Sequence, residues 1–416
     1  MKRASQRSAW LVVMGLVGLL VGRPTVLPAA LGKLGAMGDS LTDEYWDSGV
    51  ANYATNWPML VVIYRGVNMG PTAAQAGTNS WGSPRNAGYK FNWALTGANS
   101  STLLSEGQHT GLAAQAGSDA VQTAVLAIGS NDFNPQSSSA YLNIYLGFWG
   151  SAQIQNQVNQ TLTNIETALS TVHAAGINVV LANLLDPGLT PAVASQLTSA
   201  SGRDRVAAVV QTINNGLKNL AQKYQAPLMD WFALEHAILG SNSNLRATMK
   251  VGNVTMNLRG SDNGPPSATP TNAFVSDGFH PNTTMQGIFA NVGLQAFNGA
   301  YGVGLPLFTE QEILSHAVIP YGGTDTLQAQ IGAYSNYVIL PVLPRFTAIN
   351  VYGTNVALKF NTVTSQLYIV ECRDDLLVGN WTTVTNNYPG NGAIASITNR
   401  VSAAVTQRFY RVRQLP

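Results

Sequence analysis

The sequence predicts an α/β protein, a three-layer α/β/α sandwich around a parallel sheet, followed by a small all-β domain. Three observations predict it. Short apolar runs bounded by turn residues recur through the first 338 residues without period-2 alternation, as in strands buried on both faces. Long single-stripe helical patterns lie between them. After about residue 340 the pattern changes to short strand-like segments separated by turns.

In chain order, the strand-like runs of the first region are Leu34–Met37, Ala124–Ile128, Ile177–Ala182 and Pro227–Met229. Between the last three lie two helical stripes. Ile154, Val158, Leu162, Ile165, Leu169 and Val172 form the first, and Gly176 stops it. Val206, Val210, Ile213, Leu217, Leu220 and Tyr224 form the second. Strand–helix–strand repetition at this spacing is the signature of a layered α/β domain. Gly260 to Thr271 reads as a Gly/Pro/Ser-rich loop, and Thr309 to Tyr337 as helices that close this domain or connect it onward. Pro341 and Pro344 mark a boundary, so the first domain is expected over 31–338 and the second over 341–416. Asn355–Phe360, Gln366–Cys372, Trp381–Val384 and Phe409–Val412 are among six or seven short strands expected there, a small β-sandwich.

The N-terminus bears on compartment. Lys2, Arg3 and Arg7 precede an apolar run from Ala9 to Gly22, followed by Pro24, Pro28, Ala29 and Ala30. That order is expected of a secretory signal peptide over 1–30, cut near Ala29 or Ala30. The run is shorter than the roughly 20 residues a membrane span needs. A secreted or periplasmic location follows as the expectation. Residues 1–30 hold Lys2, Arg3, Arg7 and Arg23 and no acid, so 22 basic residues become 18 against 20 acidic ones, a net charge of −2. No nucleic-acid partner is implied. Cys372 is the only cysteine, which excludes an internal disulfide and cysteine-based zinc or redox chemistry.

Four local clusters carry candidate chemistry. Gly38-Asp39-Ser40-Leu41-Thr42 follows the first strand, at the sheet end where open α/β sheets gather their functional groups. A hydroxyl there is also favoured if a helix N-terminus follows. Alone, Gly-Asp-Ser is a common turn tripeptide. A serine nucleophile needs a base and an orienting acid, and Asp277-Gly278-Phe279-His280-Pro281 holds both. Of five histidines, only His280 has an aspartate three residues upstream in a loop with Gly between. Gly97, within Asn92–Ser100, offers a backbone N–H with no side chain in the way. Asn131, in Gly129-Ser130-Asn131-Asp132, offers a side-chain amide. With the Ser40 N–H these make three donors for an oxyanion, although Gly and Asn at such places equally serve turn chemistry.

Taken together and in order, these clusters resemble the sequence blocks of the GDSL, or SGNH, hydrolases over roughly residues 33–300. The resemblance implies a flavodoxin-like sandwich and a secreted serine hydrolase of carboxylic esters, acting through an acyl-enzyme. Ser40 would be the nucleophile, Asp277 and His280 would complete the triad, and Ser40, Gly97 and Asn131 would form the oxyanion hole. It implies no cofactor and no metal, and a small-molecule, lipid or carbohydrate ester as substrate. Carbohydrate O-deacetylation is the neighbouring alternative, and a non-catalytic surface-binding protein the remote one. The α/β-hydrolase elbow Gly-x-Ser-x-Gly is excluded because Thr42 stands at the second glycine. The long Ser40–Gly97 stretch carries Trp81, Tyr89, Phe91 and Trp93, expected either on the substrate side or in the core. The C-terminal region, through Tyr368, Val370, Glu371, Trp381 and Phe409–Val412, resembles immunoglobulin-like modules of exported proteins. It is expected to be a spacer or a contact to polysaccharide or another surface.

Overall fold

In the computed structural model, which describes residues 31–45, 50–82, 85, 87–402 and 404–415, the chain divides between Val342 and Leu343 into two units. The expected signal peptide, residues 1–30, lies outside the described residues.

Strands β1 (Lys33–Gly38), β2 (Val121–Ala127), β3 (Asn178–Ala182) and β4 (Leu228–Met229) pair in parallel in that order. Their residues alternate between two separate cores. Leu34, Ala36, Val125, Val180 and Met229 face one, against the helices Trp57–Arg65 and Thr283–Tyr301. Met37, Ala124, Leu126, Val179, Leu181 and Leu228 face the other, against the helices Ser151–Ala174 and Ala200–Lys223. Because both faces are covered by helices, the central strand positions are apolar and the polar–apolar alternation disappears. The two helices show the expected stripe: Val158, Ile165, Leu169 and Val172 are buried on the first, and Val206, Val210, Ile213 and Leu217 on the second. Thr283–Tyr301 is buried around most of its circumference, as befits a helix enclosed by other elements.

Past β4 the chain elaborates the sandwich. A two-stranded ribbon of β5 (Gly240–Ser241) and β6 (Asn244–Leu245) is followed by a three-stranded sheet of β7 (Thr248–Val251), β8 (Val254–Asp262) and β9 (Asn272–Val275). Part of the expected Gly260–Thr271 loop is therefore strand: β8 runs to Asp262 and only 263–271 is loop. Met256 and Leu258 point inward while their neighbours are more exposed, and this alternation is what makes a one-sided strand. Residues 309–337 close the unit with the helices Glu310–His316 and Gln328–Ile331 and a 3₁₀ turn. Strand β10 (Val338–Ile339) then adds to β4 antiparallel, so the sheet is parallel with one reversed edge. Val342 stays with this unit through both groups of the Gln222 amide.

The second unit holds β11 (Phe346–Tyr352), β12 (Asn355–Asn361), β13 (Leu367–Arg373), β14 (Thr382–Pro389), β15 (Ile394–Arg400) and β16 (Phe409–Leu415). They form two antiparallel three-stranded sheets, β11-β12-β15 and β14-β13-β16. Leu358 and Phe360 of one sheet and Tyr368 and Val370 of the other share a single core, which makes the unit a sandwich. Cys372 is buried and free.

Candidate active site

Ser40 sits in the turn that ends β1. The turn is closed by the Thr42 and Asp43 amides, which donate to the Asp39 carbonyl at 3.0 and 2.8 Å. The Asp39 carboxylate accepts from the Leu41 amide at 3.1 Å. No helix begins at Ser40: the first α-helix starts at Trp57, so the expected help from a helix N-terminus is absent among the described residues. The turn is anchored from behind by Gln108, whose buried amide bonds both backbone groups of Gly38.

The segment 275–281 loops back across this turn. Gly278 has φ +67, a left-handed conformation that a side chain would strain. That turn lets the Asp277 carboxylate accept from the Phe279 and His280 amides at 2.8 and 2.9 Å with one oxygen. The other oxygen meets His280 Nδ1 at 2.5 Å. His280 Nε2 lies 2.6 Å from Ser40 Oγ. Burial raises the Asp277 carboxyl, but the bonds from His280 and the two amides outweigh it and hold the group below the usual range. Tyr45 donates to the Pro281 carbonyl at 2.6 Å and presents an edge-on contact to the His280 ring.

Gly97 and Asn131 come to the same place. Gly97 has φ +81 and open space where a side chain would project. Its amide and that of Ser40 have no acceptor among the described residues. Asn131 Nδ2 donates to the Ala98 carbonyl at 2.9 Å, and its Oδ1 accepts from Asn134 at 3.1 Å. These two bonds fix the amide orientation and leave one N–H for a ligand. Buried acids bind the three segments to one another. Asp43 accepts from the Thr96 amide and hydroxyl at 2.8 and 2.7 Å. Asp132 accepts from the Ser100 amide and hydroxyl at 2.8 and 2.7 Å and from Thr161. Asn92 reaches the Thr42 carbonyl at 2.8 Å. All five expected positions therefore converge, held by residues to which the sequence reading gave no role: Asp43, Tyr45, Gln108 and Asn134.

Of the aromatic stretch, Tyr89 and Phe91 are core residues. Trp93 is half-buried and stacks with the Arg85 guanidinium at 4.2 Å. The core alternative therefore holds for Tyr89 and Phe91. No group of three or more His, Cys, Asp and Glu among the described residues is arranged to hold a metal ion.

Two further acids near the Ser40 turn are buried. Burial pushes the carboxyls of Asp39 and Glu44 up to about 7. Glu44 accepts from the Tyr89 amide at 2.9 Å. Between its ordinary value of 4.5 and about 7, folded Glu44 keeps a proton that the unfolded chain has lost. Stability contributed there therefore falls as pH rises through that window. Glu44→Gln removes the charge and keeps the acceptor. Its stability relative to wild type should rise between pH 5 and pH 8, by on the order of 2 kcal/mol. Urea unfolding at both pH values measures this, and a pH-independent difference would contradict it.

A GDSL-like lipase/acylhydrolase family model matches residues 34–292, more than half of the chain. The chain belongs to that family and is a carboxylic ester hydrolase. No curated protein matches it. Among solved structures, it is similar to a GDSL-like lipase from Bacteroides thetaiotaomicron, with 14% identity, a TM-score of 0.37 and coverage of 65% of this chain and 89% of that one. It is also similar to the psychrotrophic esterase EstA from Pseudoalteromonas, with 13% identity, a TM-score of 0.33 and coverage of 64% and 97%. Axe2, an acetylxylan esterase from Geobacillus stearothermophilus, shows 14% identity, a TM-score of 0.36 and coverage of 66% and 95%.

Proposed function

We propose that this chain is an extracytoplasmic serine esterase working through Ser40, His280 and Asp277. The observation that carries the reading is the unbroken hydrogen-bonded line from Asp277 through His280 to Ser40. His280 Nε2 takes the Ser40 proton as Oγ attacks the ester carbonyl. Asp277, on Nδ1, holds the ring and stabilises the imidazolium. The Ser40 and Gly97 amides and the Asn131 side chain receive the oxyanion. His280 then gives its proton to the leaving alcohol, and a water takes the alcohol's place. His280 deprotonates that water for attack on the acyl-enzyme and returns the proton to Ser40 Oγ as the bond to the acyl carbon breaks, which releases the acid and frees Ser40. Location outside the cytoplasm is supported by the signal-like order of residues 1–30. The C-terminal module takes no chemical step, since every residue used lies between Ser40 and His280; a contact to polysaccharide or another surface is the role proposed for it.

The test is hydrolysis of p-nitrophenyl acetate and of acetylated xylan by the purified full chain, with and without EDTA. The expected result is turnover of the nitrophenyl ester at a rate that EDTA leaves unchanged. Xylan reports on the carbohydrate branch. Absence of turnover on every ester, or full loss in EDTA restored by zinc, would overturn the reading.

A further inference from the structure

We propose that an apolar pocket beside Ser40 seats the acyl group of the ester and admits only short chains, up to about four carbons; this rests on Ser40 being the nucleophile. The pocket adjoins the site. Leu41, Ser130, Phe279 and Pro281 line it, and each is next in the chain to Ser40, Asn131 or His280. Its walls also hold buried side chains of other elements: Leu239 on the helix Trp231–Leu239, Phe274 of β9, and Met285 and Phe289 on the helix Thr283–Tyr301. Each of these four is 6% exposed or less, so this wall is part of the core.

Size sets the limit. The cavity volume is about 30 Å³, and one water needs about 10–15 Å³ on the same measure. Two or three carbon-sized groups beyond the carbonyl fill it. A longer chain must displace close-packed core side chains, which cores resist.

The lining also fixes the chemistry. Glu235 is the one ionisable residue among the described residues that line it. One Glu235 oxygen accepts from the Asp186 amide at 2.6 Å. Burial, with the neighbouring Asp186 adding to it, pushes the Glu235 carboxyl well above the usual range. The other residues that line the pocket carry no ionisable group, which suits an alkyl chain.

A closed pocket favours the acyl side over the alcohol side. The acyl group stays on Ser40 through deacylation, whereas the alcohol must leave and water must enter beside His280. A pocket walled by core residues serves the group that stays.

The test is kcat/KM of the full chain on p-nitrophenyl acetate, butanoate, hexanoate and octanoate, beside acetate esters of alcohols from ethanol to octanol. We expect a rise of about fourfold per methylene up to butanoate. By octanoate the value should fall at least tenfold below the maximum, and the alcohol series should vary only a few-fold. Leu239→Ala and Met285→Ala should each move the optimum to hexanoate or longer. Both sites are buried, so the wild-type series carries the test if either variant fails to fold. A continuous rise through octanoate, a flat acyl series, or a length optimum in the alcohol series instead would overturn the inference while leaving Ser40 as nucleophile. Undiminished hydrolysis by Ser40→Ala would overturn the nucleophile assignment and the inference with it.

Discussion

Ser40→Ala and His280→Ala each lower kcat by roughly 10⁴–10⁶-fold, and the double variant is little worse than either. The two side chains form one unit: without Oγ there is no nucleophile, and without the imidazole Oγ keeps its proton. Their effects therefore overlap instead of adding. Fold should survive both changes: Ser40→Ala removes its contact to His280, and His280→Ala removes that contact and the one to Asp277, while the turn at Asp39 and the Asp277 loop are held by backbone bonds. Steady-state rates on p-nitrophenyl acetate with matching melting temperatures check this. Two losses that multiply in the double variant would mean that Ser40 and His280 act in separate steps.

Asn131→Ala lowers kcat on the order of 10²–10³-fold with KM changed much less. Its remaining N–H is offered to charge that develops as the carbonyl becomes tetrahedral, so its loss falls on the transition state and not on ground-state binding. Two backbone amides remain, which is why the loss is smaller than at Ser40. The substitution also leaves the Ala98 carbonyl without its bond from Asn131. A parallel melting curve separates that structural cost from the kinetic one. A rise in KM at constant kcat would place Asn131 in substrate binding instead of oxyanion stabilisation.

The layered fold was legible because burial on both faces erases alternation in β1 to β4, while a helix on a core shows one stripe. What escaped were elements whose signal is too short or too mixed. Two residues, Val338 and Ile339, make the reversed edge strand, and no pattern can be read in two residues. The β7–β8–β9 sheet alternates only over short runs next to a Gly/Pro/Ser-rich loop, and the loop residues dominated the reading. The five site positions were legible because each sits in a compact turn of Gly, Asp, Asn or Ser at a strand or loop end. Their supports were not. Gln108 lies in a helix 70 positions from the Gly38 backbone it holds, and Tyr45 reaches 236 positions to the Pro281 carbonyl. A lone polar residue within a helix or turn carries no mark of a partner so distant in sequence. No helix begins at Ser40 for a local reason: the backbone there closes onto the Asp39 carbonyl as a turn.

Labelling with a fluorophosphonate ester tests the central claim most directly, because phosphonylation needs both an activated hydroxyl and a base beside it. Peptide mass spectrometry after reaction of the native full chain should find one adduct per molecule, on Ser40. The His280→Ala chain should label at least a hundredfold more slowly. An adduct on another serine, or labelling of Ser40 that is indifferent to His280, would contradict the account.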